Sequence, residues 1–157
     1  MKSPMFGKLE HFIIVSGTGR GRTHLNAFDA ALYDAGISQY NLVRISSILP
    51  PFVKEHTHIP LPQGSLLPIA YGHIESSEEG VLITAGVSVA IPKDASKHGV
   101  IMEYSGYLSE KEAESLLIQM AEDAMKLRGI EIKEIKVKVI SQKVEGIVSV
   151  FAGVALF

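Results

Sequence analysis

Residues 81–91, Val-Leu-Ile-Thr-Ala-Gly-Val-Ser-Val-Ala-Ile, form a nearly continuous apolar run of β-forming residues. A strand of that composition is buried on both faces, so the fold must place one layer above it and another below. The rest of the chain limits what those layers are. Only two segments carry helical periodicity. Thr23 to Gly36 has a capping residue, a terminating glycine, and Leu25, Phe28 and Leu32 at helical spacing. Ser109 to Arg128 opens on a Ser109/Glu112 capping box, ends at Gly129, and draws a stripe through Ala113, Leu116, Leu117, Met120, Ala121, Ala124 and Leu127.

The other regular segments read as strands. Residues 11–16 run into Gly17-Thr18-Gly19-Arg20-Gly21, which predicts a strand followed by a tight loop. Residues 40–48, 66–75 and 99–104 read as three further strands. Ile135, Val137 and Val139 alternate with Lys136 and Lys138 on a half-exposed strand, and residues 147–157 form a last apolar one. The four prolines between Pro50 and Gly64 predict an exposed loop. Two helices against about seven strands favour an α+β sandwich, two sheets face to face with a helix outside each.

At 157 residues the chain fits a single domain. Its net charge of −2 and scattered Lys and Arg lack the basic stripe that nucleic acid requires. There is no cysteine, which excludes disulfides, thiolate nucleophiles and thiolate metal sites. No stretch reaches the roughly 20 apolar residues of a membrane span, and the first residues carry no secretory pattern, so the expected location is cytoplasmic.

Several constellations could carry chemistry. Gly17 to Arg22 sits where a dinucleotide loop would, but Arg22 replaces the third glycine and no Gly-Lys-Ser/Thr ending follows; a plain turn is the simpler reading. His56 and His58 lack a third matched ligand, so a metal site is not expected. Asp29 lies about 40° from Leu25 and about 60° from Leu32 on a helical wheel, at the margin of the apolar stripe. Such a carboxylate needs a partner, either an internal Arg such as Arg44 or a cationic group of a substrate. Glu103 interrupts the apolar run 100–104; burial would raise its pKa toward general-acid use, whereas exposure would leave it idle. Ser46-Ser47 precede Pro50-Pro51. A serine hydroxyl there could close a turn, or it could attack the preceding carbonyl and open a route to self-cleavage.

Leu25-Asn26-Ala27-Phe28-Asp29, Asn41 to Pro51, Ala90 to Asp94 and Ile101-Met102-Glu103-Tyr104 occur in an order that resembles the pyruvoyl-dependent arginine decarboxylases. The resemblance implies a four-layer αββα sandwich cut between Ser46 and Ser47, with residues 1–46 as the smaller subunit and 47–157 as the larger. It implies that Ser47 becomes a covalent pyruvoyl group, with no pyridoxal phosphate and no metal, and that Asn41 assists the cleavage. The pyruvoyl group would form a Schiff base with L-arginine and release carbon dioxide and agmatine. Glu103 would return a proton, Asp29 would receive the guanidinium, and Leu32 would line its aliphatic chain. The same resemblance implies a homotrimer of processed protomers with pockets between neighbours.

Overall fold

A computed structural model describes residues 7–157. In chain order the elements are β1 (His11–Arg20), α1 (His24–Asp34), β2 (Asn41–Arg44), β3 (Ile48–Leu49), β4 (Lys54–Glu55), β5 (Leu66–Ser76), β6 (Leu82–Pro92), β7 (Gly99–Gly106), α2 (Glu110–Leu127), β8 (Ile132–Lys143) and β9 (Val148–Leu156). The strands form two sheets, ordered β2-β5-β9-β1-β4 and β3-β7-β6-β8. The architecture is mixed α+β, as the element count predicts.

The two apolar runs become β6 and β9, each central in its sheet. Their alternate side chains explain why both faces are apolar. Ile83, Ala85, Val87 and Val89 of β6 meet Val148, Val150, Ala152, Val154 and Leu156 of β9 in a core between the sheets. The opposite face of β9 presents Phe151 and Ala155 to α1, together with Ala31 and Leu32. Ala90 of β6 joins Val100, Ala121, Ala124 and Met125 under α2.

Gly17 to Gly21 departs from the expected turn, because β1 continues through Arg20 and pairs with β9 as far as Val148. The glycines serve proximity. A Cβ on Gly17 or Gly19 would overlap the backbone of Ala31, and one on Gly21 would stand 2.6 Å from the Ala27 nitrogen. Removing those side chains lets α1 lie directly on the strand. This placement also inverts part of the predicted α1 stripe: Ala27 and Ala31 are buried and Leu25 is exposed. On α2, Met125 is buried and Leu127 is exposed, because the last turn rotates past the sheet.

The helix ends follow the sequence signals closely. Thr23 Oγ1 accepts from the Asn26 N–H at 3.0 Å, and Ser109 Oγ accepts from the Glu112 N–H at 3.2 Å. Gly36 and Gly129 take positive φ values of 79° and 64°, which glycine adopts without steric cost. Between Pro50 and Gly64 the expected loop contains one short strand, β4, which pairs in parallel with His11 and Phe12 of β1.

Candidate active site at the sheet-to-sheet crossing

The strand expected over residues 40–48 is broken, and the break defines the site. β2 runs parallel to β5 at one edge of the first sheet, with Arg44 opposite Ile69. Two residues of β3 then pair with β7 at the edge of the second sheet, with Ile48 opposite Val100. Ile45, Ser46 and Ser47 therefore cross from one sheet to the other. An apolar sequence pattern shows extended backbone but carries no record of a change of partner.

Both ends of this crossing are anchored. The Ile45 N–H donates to the Ile69 carbonyl at 3.0 Å, holding the approach to the first sheet. The Ile101 N–H donates to the Ser47 carbonyl at 2.8 Å, holding the exit to the second. Ser46 is exposed and Ser47 half-buried. The Ile45–Ser46 and Ser46–Ser47 peptides lie between these two attachments and make no backbone hydrogen bond of their own.

Glu103 stands two residues beyond Ile101 on β7. It pairs across the ladder with Val87, so it shares the inter-sheet face with Val87 and Ile101. Gly72 of β5 makes the close approach possible. A Cβ there would lie 3.5 Å from the Glu103 Cβ and 2.8 Å from the Tyr104 carbonyl oxygen. Burial raises the Glu103 pKa above the usual glutamate value, and the positive charge of Arg44 opposes that rise.

Arg44 does not pair with Asp29. Its Nη2 donates to the Tyr71 carbonyl at 2.8 Å, and its guanidinium carbon lies 4.5 Å from the centroid of the Tyr71 ring. Asp29 is exposed on α1, and among the described residues its carboxylate enters no ion pair or side-chain hydrogen bond. The neighbouring Phe28 packs on His73 and Tyr71, with ring centroids 4.6 and 6.4 Å apart, which fixes that turn of helix over the outer face of β5. Leu32 is buried beneath α1 with Ile37, Leu67 and Ile69. It supports the helix that carries Asp29 and exposes almost no surface of its own.

Asn41 begins β2, and its Nδ2 donates to the Gly64 carbonyl at 2.9 Å. Three strand rises, about 10 Å, separate it from Arg44, with Ile45 still to come before Ser46. A single chain thus gathers Ser46, Ser47 and Glu103 at one edge and leaves Asn41 and Asp29 apart from them. Arg44, Tyr71 and Gly72 are the members of this edge that sequence reasoning did not assign. Their signal is tertiary, apart from the position of Arg44 just before the serines.

His56 and His58 interact locally, the His58 N–H pointing to His56 Nδ1 at 3.3 Å. No group of three or more His, Cys, Asp or Glu side chains that could hold a metal occurs among the described residues. No helix among them is long and apolar enough to cross a membrane.

A serine at a sheet crossing, its carbonyl fixed and a half-buried carboxyl on the same sheet edge, is compatible with the class of decarboxylases that depend on a pyruvoyl group. Comparison with known proteins agrees. The family described as pyruvoyl-dependent arginine decarboxylase matches residues 11–155. The chain is 46% identical over 144 residues to the pyruvoyl-dependent arginine decarboxylase of Methanocaldococcus jannaschii, covering 92% of this chain and 87% of that one. It is 47% identical over 144 residues to the protein of the same name from Methanococcus vannielii, covering 92% and 88% of the two chains. For the relative from Thermococcus sibiricus, identity is 43% over 129 residues, with 81% of each chain covered. A solved pyruvoyl-dependent histidine decarboxylase shares the fold over 62% of this chain and 52% of its own, with a TM-score of 0.50 and 16% identity. The chain belongs to the pyruvoyl-dependent arginine decarboxylase family, and it is an enzyme.

Proposed function

We propose that the chain cleaves itself between Ser46 and Ser47 and that the processed enzyme converts L-arginine to agmatine and carbon dioxide. The observation that carries this reading is the double anchorage of the crossing. After scission the new end at Ser46 stays attached to the first sheet through Ile45, and the new end at 47 stays attached to the second through the Ile101 bond and the Ile48–Val100 pair. Cutting there removes no strand pairing. The residues present fit a pyruvoyl group formed in place.

In the cleavage step the Ser47 hydroxyl attacks the Ser46 carbonyl carbon, and the peptide becomes an ester. Removal of the Ser47 α-proton expels the Ser46 carboxylate. The dehydroalanine left at 47 rearranges to an imine, and water releases ammonia from it. The pyruvoyl ketone would act as an electron sink through a Schiff base with the substrate's α-amine.

Glu103 supplies the proton that replaces the lost carboxylate on the α-carbon. Its burial favours the protonated form that such a donor needs. Asp29, exposed and unpaired among the described residues, receives the guanidinium, for which a carboxylate offers two matched acceptors. Leu32 holds that turn of helix in place. Since one chain separates Asp29 and Asn41 from Ser47, we assign their reach to neighbouring copies in a homotrimer of four-layer αββα protomers. There the Asn41 amide would donate to the developing oxyanion of a neighbour. Carbon dioxide release from arginine, compared with lysine, ornithine and histidine, tests the assignment. Arginine is expected to react fastest, and preference for another amino acid would overturn it.

A further inference from the structure

We infer that His73 is a positioning residue for arginine recognition: tethered by Glu75 and Ser149, its ring locks Phe28 and so sets the direction in which α1 presents Asp29. The inference rests on the reading of Asp29 as the guanidinium receptor.

The contacts form a continuous row on the outer face of the first sheet. His73 and Glu75 lie two residues apart on β5 and share the face that places Leu67 and Ile69 under α1. Across the ladder, Phe151 of β9 stands opposite His73, and Ser149 opposite Glu75. The buried Ser149 hydroxyl donates to Glu75 Oε2 at 3.3 Å. His73 Nδ1 lies 3.1 and 2.8 Å from Oε1 and Oε2 of the same carboxylate. A carboxylate only accepts, so Nδ1 carries the proton and the imidazole is turned toward Glu75. The Glu75 side chain is only 14% exposed, which limits competition from water for these bonds.

The ring held in this way meets Phe28, with centroids 4.6 Å apart. Phe151 and Tyr71 flank the same phenyl ring at 6.0 and 6.4 Å. Phe151 is fixed by full burial, whereas the His73 side chain is 32% exposed and without its tether would be free to change rotamer.

The helix needs such a lock because its contact with β1 is smooth. Ala27 and Ala31 rest where Gly17, Gly19 and Gly21 carry no side chains, so nothing on the strand interlocks with them. Asp34 pins the far end of α1 by accepting from the Thr18 N–H at 2.9 Å. Phe28 and Leu32 are the large side chains that α1 packs on the sheet, and Phe28 is the one adjacent to Asp29. A rotation of about 10° about the helix axis moves a group about 5 Å from that axis by about 1 Å. An error of that size in a substrate-positioning group can cost about 100-fold.

The test is a double-substitution cycle on the self-cleaved enzyme, with turnover expressed per processed chain. His73→Ala is expected to raise the arginine KM about tenfold and to change kcat less than about twofold. In an Asp29→Asn background the same substitution should raise KM less than about twofold, because the carboxylate it positions is already gone. Glu75→Ala leaves the ring beside Phe28 but untethered and should raise KM about fivefold; it carries the test if His73→Ala does not fold. Glu75→Gln retains an acceptor for Nδ1–H and should recover most of that loss. A parental KM in His73→Ala and Glu75→Ala, with a raised KM in Asp29→Asn, would overturn the inference alone. An equal fold-increase in both backgrounds would also overturn it, since His73 would then act on something other than Asp29. A parental KM in Asp29→Asn would overturn the guanidinium reading and the inference with it.

Discussion

Val87 and Glu103 stand directly opposite each other on neighbouring strands and point toward the same sheet, yet Val87 is sealed in the core and Glu103 is half-buried. One strand spacing separates a position chosen for packing from one chosen for chemistry. Toward the centre, β6 and β9 have partners on both sides and apolar contacts on both faces. Toward the edge, β2 ends at Arg44, the chain changes sheets, and backbone groups are satisfied by a guanidinium and by single hydrogen bonds. Reactive groups collect where the regular ladder stops, because an unladdered peptide has freedom that a central strand lacks.

Substitutions at the edge should therefore remove activity while leaving the fold, and those in the interior should do the reverse. The largest effect is expected at Ser47→Ala, which should stay full length and lose all turnover, with a melting temperature close to that of the parent. Cleavage of that variant at the same bond, read on a denaturing gel, would break the proposed order of events. Glu103→Gln should still cleave, but lose about 100-fold or more in kcat; turnover at the parental rate would remove Glu103 from its role.

Interior changes separate from these. Gly19→Val forces a side chain into the backbone of Ala31 and should destabilise by about 3 kcal/mol in urea unfolding. Folding at the parental midpoint would mean that α1 does not rest on β1 as described. Ser88→Ala is milder. It removes the 2.8 Å bond from Ser88 Oγ to the Leu117 carbonyl, between β6 and α2, and should cost about 1 kcal/mol with kcat unchanged.

The smallest effect concerns pH. The folded-state pKa of Glu103 is raised, so its stabilising contribution is complete below the unfolded glutamate range, about 4.3, and is lost as pH rises through the folded value. Glu103→Gln does not titrate. Its melting temperature relative to the parent should increase with pH across that range; a decrease would contradict the sign.

Much of the interior was legible in the sequence because each element carries its own record. The apolar runs of β6 and β9, the Ser109/Glu112 box and the closing glycines at 36 and 129 reflect local pattern or local backbone. The edge was less legible because its determinants are contacts between distant residues. Gly17 and Gly19 look like a turn until a helix is placed on them. Residues 40–48 look like one strand until Arg44 and Ile48 are seen in different sheets. Arg44 and Asp29 have complementary charges, but Arg44 is taken by Tyr71, which no spacing rule connects to it. The family resemblance supplied roles for Ser47, Asn41 and Glu103 that residue types alone had left open.

The most direct measurement is the intact mass of the purified protein after prolonged incubation. The account predicts two species, one ending at Ser46 and one beginning with a blocked residue 47. Their summed mass should equal that of the uncut chain plus one water and minus one ammonia. A single full-length species, or two fragments with a free serine at 47, would contradict it.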